Sequence, residues 1–327
     1  MAIKKVAVAM GGYSSEFEIS LQSGTVVCAS LNPEKYEAFP IHILKEGWFY
    51  VAPDGKRYPI NKEDFSFNNG SETIVPDIVF NTIHGTPGED GIMGAYWDLI
   101  ELKQTSTGFY SAALSFNKRD CLSVLKNFGI KCANSYYVNQ GTDIPVDAII
   151  KTVGLPCFVK PSRAGSSFGV SKVHTLEELL PAMEKAYEQD SQIMIETALV
   201  GPEISVGLYP FKGEVIALPP TEIVSENDFF DYEAKYLGKS QEITPARISE
   251  EATVLVQQEA KKIYQLLSMS GIARTDFILQ DGIPHFIETN SNPGLSQESI
   301  VPKQVREAGM TLPEFFDKVL EAAFAKK

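Results

Sequence analysis

The sequence predicts an α/β protein made of three units. Short apolar segments typical of strands alternate with amphipathic segments typical of helices along the chain. The length of 327 residues exceeds the usual size of one domain, and 44% hydrophobic residues are enough for a large core. We expect an N-terminal α/β domain at 1–105, a central unit at 106–196 and a C-terminal unit at 197–327.

The acidic composition excludes several classes of function. The chain has 29 Lys and Arg against 42 Asp and Glu, which gives a formal net charge of −13. This charge repels nucleic acid and anionic membranes at long range, so we expect neither as a partner. No segment approaches the roughly 20 apolar residues that span a bilayer, and the apolar run after Lys4-Lys5 is too short for a signal peptide. We therefore expect a cytoplasmic protein.

The four cysteines are scattered, with no CxxC pair and no histidine at ligand spacing nearby. This distribution predicts reduced, mostly buried thiols, and it argues against a zinc site or a disulfide framework. The four residues are Cys28, Cys121, Cys132 and Cys157.

The first unit alternates strand and helix. The strand KKVAVAM ends at Gly11-Gly12, and Ser14-Ser15 is placed to cap a helix whose apolar residues have helical spacing. A second strand, EAFPIHIL, is followed by a hairpin around Asp54-Gly55. A third strand, DIVFNTIHG, is followed by the helical segment GIMGAYWDLIEL. This order predicts a small parallel sheet whose ligand edge lies at the carboxyl ends of its strands.

The segment His84–Gly91 follows the third strand, at the edge where ligands collect. Its glycines allow tight turns, and Glu89 and Asp90 can cap the following helix. A lone histidine at a strand end is equally explained by a structural hydrogen bond, so both roles stay open for His84.

The remaining units also mix helices and strands. The central unit begins with one helix around SFNKRDCLSVLKNFG, closed by Gly129. The strands SYYV, PCFVKP, FGVSKV and QIMIET follow, with helices near 145–153 and in TLEELLPAMEKAYEQD. The C-terminal unit has strands EISVGLY and EVIALPPTEIV, a polar segment at 225–247, a long helix, two strands flanking Asp281-Gly282 and two final helices.

One connection in the central unit could bind an anion. The chain lacks both the GxxxxGK[ST] loop and the GxGxxG fingerprint. Instead, SRAGSSFG joins two strands, and Lys160 stands just before it. Backbone N–H groups of a Ser/Gly-rich loop can approach a phosphate closely. A flexible hairpin turn explains the segment equally well when it is taken alone.

The segment ARTDFILQDGIPHFIETNSNPG places acids on two successive strands. Glu288 and Asn290 share one face because they are two residues apart. A two-residue loop would pair Asp276 with Ile287, whereas an odd loop would pair Asp276 with Glu288. We expect the odd loop, with Gly282 or a bulge supplying a positive φ.

Two carboxylates opposite one another destabilise a sheet unless a cation lies between them. Carboxylate and amide oxygens are the ligands that Mg²⁺ takes when phosphates complete its shell, so Asp276, Glu288 and Asn290 predict a metal–phosphate site. A solvated hairpin is the alternative, but the strands are apolar. Arg274 shares the face of Asp276 and could stabilise negative charge there, or form a salt bridge with one of the acids.

Taken together and in this order, these segments resemble the D-alanine–D-alanine ligases. The resemblance implies a three-domain ATP-grasp fold with an N-terminal parallel-sheet domain. It also implies ATP-dependent joining of two D-alanines through an acyl phosphate, for peptidoglycan precursor synthesis in cell wall biogenesis. It further implies ATP as co-substrate, two Mg²⁺ ions or Mn²⁺ in their place, and a homodimer formed through the first domain. The matching segments are 11–24, 84–91, 113–118, 159–173, 195–206, 231–236, 273–277 and 288–302.

The resemblance also implies roles at the two amino-acid substrates. Ser166 and Tyr236, together with Glu16, would tie a mobile loop at 225–247 over the substrates. The other residues matched to the amino acids or to the reacting carbonyl are Glu16 and His84 for the first D-alanine, Ser299 and Ile300 for the carboxylate of the second, and Arg274 and Gly294 for the oxyanion.

A second group of residues matches the nucleotide and metal contacts of the family. The ligands implied for Mg²⁺ are Asp276, Glu288 and Asn290. The residues matched to ATP are Lys118, Lys160 and Lys235 for the phosphates, Glu196 and Leu199 for the adenine, and Glu203 for the ribose.

Some positions depart from the family pattern. Asn117 stands where Asp is common, Ala164 replaces a frequent Glu, and Gln297-Glu298 precedes Ser299 where a Ser-His pair is familiar. Another carboxylate–amine ligase of the same fold, such as one that makes D-Ala-D-lactate or D-Ala-D-Ser, is one alternative, although the EAKY context of Tyr236 resembles enzymes that make D-Ala-D-Ala. A nucleotide-binding regulator without catalysis is a second alternative. The base that would deprotonate the incoming amine is not identified.

Overall fold

The computed structural model of the chain describes residues 2–165, 167–225 and 240–326. Its first sheet has the order β4-β3-β2-β1-β7, with β1 parallel to both β2 and β7. The predicted parallel sheet is thus confirmed for the central strands, and the hairpin at Asp54-Gly55 is confirmed at the antiparallel edge. The strands are β1 (Lys4–Gly11), β2 (Tyr36–Leu44), β3 (Gly47–Val51), β4 (Arg57–Pro59) and β7 (Ile78–Asn81), and a small separate pair is formed by β5 (Phe67–Asn68) and β6 (Thr73–Ile74).

Helix α1 (Phe17–Ser30) begins later than the sequence predicts. Glu16 occupies the N-cap position and no side chain caps the helix, so the proposed Ser14-Ser15 cap is wrong. Ser14 is diverted because its hydroxyl donates to the His84 carbonyl oxygen at 2.9 Å. This hydrogen bond holds the loop before α1 against the loop that contains His84. Helix α2 (Ile92–Leu99) follows the second of these loops, as predicted.

The second sheet is antiparallel throughout and has the order β10-β9-β11-β8. The helix predicted around SFNKRDCLSVLKNFG is confirmed as α4 (Lys118–Asn127), but Ser115-Phe116 at its predicted start belong to a separate helix, α3 (Phe109–Phe116). Asn117 breaks them with an extended backbone, and its side chain accepts a hydrogen bond from Asp120 N at 3.3 Å. The strands and covering helices are β8 (Ser135–Asn139), β9 (Cys157–Pro161), β10 (Ser171–Val173), β11 (Gln192–Thr197), α5 (Val146–Val153) and α6 (Leu176–Tyr187).

The third sheet runs β15-β14-β12-β16-β17, and β13 pairs with β12. The predicted strand EVIALPPTEIV is two strands, because Pro219-Pro220 supplies no N–H for a ladder. The elements are β12 (Glu203–Phe211), β13 (Glu214–Ala217), β14 (Thr221–Ser225), β15 (Ser240–Ile243), β16 (Ala273–Gln280), β17 (Ile283–Asn290), α7 (Glu250–Leu266), α8 (Ile300–Glu307) and α9 (Leu312–Ala325).

Helix α9 joins the first and third sheets. The rings of Phe80 in β7 and Phe316 in α9 lie 5.5 Å apart, and those of Tyr209 in β12 and Phe315 lie 5.0 Å apart. Phe315 and Phe316 are both fully buried. Burial of such rings removes a large apolar area from water, so it fixes the cleft between the two sheets.

The turn between β16 and β17 differs from the prediction, yet the predicted pairing forms. Gln280 pairs with Ile283, so the loop has only the two residues Asp281-Gly282, both with positive φ. The expected odd loop is therefore wrong. A register shift at Phe277 leaves Ile287 as an extra residue, and Asp276 consequently pairs with Glu288. The one-residue shift in strand pairing therefore comes from a bulge in β17 and not from the loop, as we had expected.

The four cysteines are free, as expected. Within the described part of the chain, no helix is long and apolar enough to cross a membrane.

Gln304 fixes helix α8 against the third sheet. Its side chain is fully buried, and its Oε1 accepts from Gly207 N at 2.9 Å. Its Nε2 donates to the Ser205 carbonyl oxygen at 2.8 Å and to Thr221 Oγ1 at 3.1 Å. Because α8 begins at Ile300, this amide sets where the start of the helix meets the cleft.

We expect Gln304→Leu to lower the free energy of unfolding by about 3 kcal/mol, because it leaves several buried polar groups without partners. Urea unfolding measures the change. Gln257→Leu is the matched control, since the half-buried Gln257 makes a single hydrogen bond to the Leu218 carbonyl oxygen. Equal losses in the two variants would contradict the role assigned to Gln304.

Candidate active site

Two adjoining cavities occupy the cleft between the three sheets. The smaller has a volume of about 280 Å³ and lies between the first and third sheets. The larger has a volume of about 470 Å³ and lies between the second and third sheets. Gly165 and Glu288 line both cavities, so a ligand in one can meet a ligand in the other.

The larger cavity combines apolar walls with lysines. Lys118 Nζ donates to the Ala164 carbonyl oxygen at 2.8 Å and lies 3.1 Å from Glu288 Oε2. Lys160 pairs with Glu196, and both side chains are mostly buried. The apolar walls include Phe158, Ile223, Val224, Ile278 and Ile287, which we did not predict. The predicted nucleotide residues that line this cavity are Lys118, Lys160, Glu196, Leu199 and Glu203.

The predicted metal ligands meet at the cleft. Asp276 is 4% exposed, and the Arg274 guanidinium lies 2.7 Å from its Oδ2. Ser205 Oγ donates to Asp276 Oδ1, and Asn290 Nδ2 donates to Asp276 Oδ2 at 3.3 Å. The salt bridge that was the alternative role for Arg274 is therefore present in this structure.

Each acid of this cluster is balanced by a buried cation. Burial alone would lower the pKa of Lys118, but Glu288 overcomes this effect and the pKa is raised. Burial likewise opposes ionisation of Arg274, yet Asp276 and Glu288 raise its pKa. Both cations therefore stay charged beside the acids.

The cluster has the donor chemistry of a magnesium site. Among the residues that the structure describes, no three His, Cys, Asp or Glu side chains group as a metal site would require. The third donor here is instead the side-chain oxygen of Asn290. Two carboxylates and an amide match a hard cation that also takes phosphate oxygens.

The smaller cavity brings together residues from distant parts of the chain. A Cβ atom on Gly165 would lie 2.5 Å from Glu16 Oε2, so the loop after β9 touches the loop before α1. A Cβ atom on Gly294 would lie 2.7 Å from Ser299 Oγ. A side chain at either glycine would therefore displace Glu16 or Ser299 from its present position. The predicted residues that line this cavity are Glu16, His84, Arg274, Glu288, Asn290, Gly294, Ser299 and Ile300.

His84 is held by a serine that we did not predict. Ser23 Oγ lies 3.3 Å from His84 Nε2 and accepts a hydrogen bond from Leu295 N at 3.0 Å. Burial lowers the pKa of His84, although Glu16 opposes this, so the imidazole is neutral near pH 7. The sequence signal that could have revealed this contact is Ser23 itself, a polar residue on the face of α1 that is buried and was expected to be apolar.

Glu89 is a second residue with an unpredicted position. Asp90 accepts from Ile92 N at 3.2 Å but lies one residue before the N-cap Gly91, and Glu89 turns back to accept from Gly85 N at 3.0 Å. Glu89 is 8% exposed and lines the smaller cavity. Burial, reinforced by the charge of Glu16, raises its pKa to about 8. A capping role was therefore wrong for Glu89.

Three predicted site residues, Ser166, Lys235 and Tyr236, lie outside the described residues. Most of the segment 225–247 lies outside them as well.

Comparisons with known proteins agree along the whole chain. The family models described as D-ala D-ala ligase N-terminus and C-terminus match residues 5–106 and 124–321. The D-alanine–D-alanine ligase of Christiangramia forsetii is 53% identical over 324 residues, covering 99% of each chain. The crystal structure of the VanG D-Ala:D-Ser ligase from Enterococcus faecalis is 30% identical, with a TM-score of 0.87, and covers 98% of this chain and 100% of that one.

A third relative was solved with a nucleotide. The crystal structure of the D-alanine–D-alanine ligase from Bacillus anthracis complexed with ATP is 26% identical, with a TM-score of 0.79. It covers 98% of this chain and 97% of that one.

The protonated state of Glu89 gives a stability prediction. In the folded chain Glu89 keeps its proton up to about pH 8, whereas in the unfolded chain it releases the proton above pH 4.5. The contribution of Glu89 to the free energy of unfolding therefore falls as the pH rises from 4.5 to about 8. Glu89→Gln removes this loss. We expect its free energy of unfolding, relative to the parent chain, to rise by about 1 kcal/mol per pH unit in that window.

Urea unfolding across this pH range measures the difference, with Glu37→Gln as a control at an exposed position. A difference that does not depend on pH would show that Glu89 is ionised in the folded chain.

Proposed function

The chain belongs to the D-alanine–D-alanine ligase family, and from that premise we propose how its own residues join two D-alanines with the free energy of ATP hydrolysis. The observation that carries the proposal is the shared wall between the two cavities. Glu288 and Gly165 line both, so the phosphates of a nucleotide in the larger cavity would meet an amino acid in the smaller one.

The larger cavity supplies the nucleotide site. Its apolar walls suit a base, whereas Lys118 lies at the wall shared with the smaller cavity, where phosphates would sit. In this proposal Glu196 and Leu199 contact the adenine, Glu203 contacts the ribose, and Lys160 contacts a phosphate. Lys235, outside the described residues, adds a further phosphate contact on the family pattern.

The smaller cavity supplies the amino-acid sites. Glu16 would bind the ammonium group of the first D-alanine, which a neutral His84 does not repel. Ser299 and Ile300, at the start of α8, would bind the carboxylate of the second D-alanine. The two substrates then lie on either side of Arg274 and Gly294.

The reaction needs two bond exchanges. The carboxylate of the first D-alanine attacks the γ-phosphorus of ATP, which forms an acyl phosphate and releases ADP. The amine of the second D-alanine then attacks the acyl carbon; a C–N bond forms, the C–O bond to phosphate breaks and the amine loses a proton. Arg274 and the Gly294 N–H would donate to the oxygen that becomes negative in the second step.

The metal ligands proposed for this chemistry are Asp276, Glu288 and Asn290, with two Mg²⁺ ions, or Mn²⁺, as the expected number and kind. When bound, such cations neutralise charge on the transferring phosphoryl group. Arg274 and Lys118 balance the acids in this structure, so metal binding would release these cations toward the substrates.

The acyl phosphate must also be protected from water. We propose that Ser166 and Tyr236 join Glu16 in holding the segment 225–247 over the substrates. The domain boundaries at 105 and 196, the homodimer through the first domain and the cytoplasmic location also stay proposals, the last because cytoplasmic ATP is the co-substrate.

D-Alanine is the second substrate that the comparisons favour. The relatives near 53% identity are named D-alanine–D-alanine ligases, whereas the structure named a D-Ala:D-Ser ligase is 30% identical. D-Serine and D-lactate remain the alternatives to be measured beside it.

Product analysis tests the function. Incubation with ATP, Mg²⁺ and D-alanine should yield ADP, phosphate and D-alanyl-D-alanine, and chelation of the metal should stop all three. Coupled phosphate release and mass spectrometry measure the products. D-Serine or D-lactate added beside D-alanine reports the second-site preference. Absence of dipeptide under these conditions would overturn the proposal.

The oxyanion role of Arg274 has its own prediction. Arg274→Met should lower kcat by about 10²–10³-fold, because a donor to the developing negative charge is lost. Steady-state kinetics with D-alanine measure the change, and Arg57→Met, at an exposed arginine of β4, is the control. An unchanged kcat with a raised KM for ATP would instead assign Arg274 to nucleotide binding.

A further inference from the structure

One acid at the second-substrate end of the smaller cavity has no role so far. Glu242 lies in β15, where it pairs with Ile223 of the neighbouring strand. Its side chain is 17% exposed, and it lines the cavity together with Arg274, Ser299 and Ile300. It therefore faces the space that the proposed function gives to the incoming substrate.

Helix α8 holds this carboxylate in place. Lys303 Nζ lies 3.1 Å from Glu242 Oε2 and 3.6 Å from Glu298 Oε2. Lys303 is one turn beyond the start of α8, the helix that Gln304 fixes against the sheet. Glu242 thus has a defined position in spite of lying on an edge strand.

Among the residues that the structure describes, the charges at this end of the cavity do not cancel. Arg274 is balanced by its ion pair with Asp276 in this structure and, in the proposed reaction, by the negative charge of the acyl phosphate that it faces. Lys303 is a single positive charge shared between Glu242 and Glu298, which leaves this group with one net negative charge. The influence of Glu242 extends to Arg274, whose pKa it helps to raise.

This imbalance discriminates between two kinds of second substrate. An amino acid enters as a zwitterion with no net charge, whereas a 2-hydroxy acid of the same shape enters as an anion. A negative wall charge repels the anion and is nearly neutral toward the zwitterion, whose ammonium group it attracts.

We propose that Glu242 is a specificity-determining residue, which favours an amino acid over a 2-hydroxy acid as the second substrate. The inference rests on the proposed function, because it uses the second-substrate end of the cavity. Coulomb's law at a separation of about 6 Å and an effective dielectric constant near 20 gives roughly 100-fold discrimination, which partial balance by Lys303 reduces to about tenfold.

The test is a competition at the second site. The chain is given D-alanine with excess D-lactate, and the ratio of dipeptide to alkali-labile depsipeptide is measured by mass spectrometry. Glu242→Gln should lower this ratio about tenfold. The same variant should leave the ratio of D-alanine to D-serine products unchanged, because both of these substrates are zwitterions. Glu259→Gln, which removes an equal charge on α7 away from the cleft, is the control.

The Lys303→Met variant distinguishes the effect of the charge at this end of the cavity from the effect of losing the ion pair. It breaks the same ion pair but makes the cavity end more negative, so it should raise the dipeptide preference while Glu242→Gln lowers it. Shifts of the same sign in both variants would assign the pair a structural role and overturn the proposal.

The proposal is also overturned if the parent chain and Glu242→Gln give equal ratios of dipeptide to depsipeptide. The same holds if neither of them makes any depsipeptide. A parent chain that makes no dipeptide at all instead contradicts the proposed function.

Discussion

Two carboxylates face one another across neighbouring strands at the centre of the cleft, and the rest of the site is arranged around their repulsion. Asp276 pairs directly with Glu288 because a bulge shifts the register of β17. Like charges in such a pair destabilise a sheet. Here Arg274 balances Asp276 and Lys118 balances Glu288, so the sheet keeps two acids that a cationic ligand could use.

The ion pair between Lys118 and Glu288 also links the units of the fold. Lys118 begins α4 and reaches Glu288 on the third sheet, while it also donates to Ala164 in the loop after β9. That loop touches Glu16 before α1. Helix α9 closes the arrangement by packing Phe316 against the first sheet and Phe315 against the third. The geometry of the acids is therefore tied to the position of all three sheets.

Electrostatics explain how an acidic chain can hold a polyanion. The net charge of −13 offers ATP no long-range attraction. Inside the cleft, Glu89 has its pKa raised to about 8 by burial and therefore adds no negative charge near pH 7, and His84 is neutral for the same reason. The two acids that stay charged at the centre of the cleft, Asp276 and Glu288, are each balanced by a buried cation, so together they present little net negative charge to a phosphate.

Local patterns in the sequence determined most of the elements and the residues proposed for the metal site, whereas most of the residues proposed for the nucleotide came from the family resemblance. Alternation, turn residues and motif spacing act over a few positions, so they located the strands around Asp281-Gly282 and the acids on them. Local patterns failed where a partner distant in the chain decided the outcome. Ser14 donates to the His84 carbonyl oxygen and does not cap α1. The break at Asn117 was missed for a different reason, because its side chain makes a local cap to Asp120 N that starts a new helix.

Only the tertiary structure could show the bulge at Ile287, the serine that holds His84, the buried state of Glu89 and the place of Glu242 in the cavity wall. Each depends on packing between segments far apart in sequence. Burial and distance between such segments set the charges and hydrogen bonds of this site, and neither quantity is encoded in local spacing.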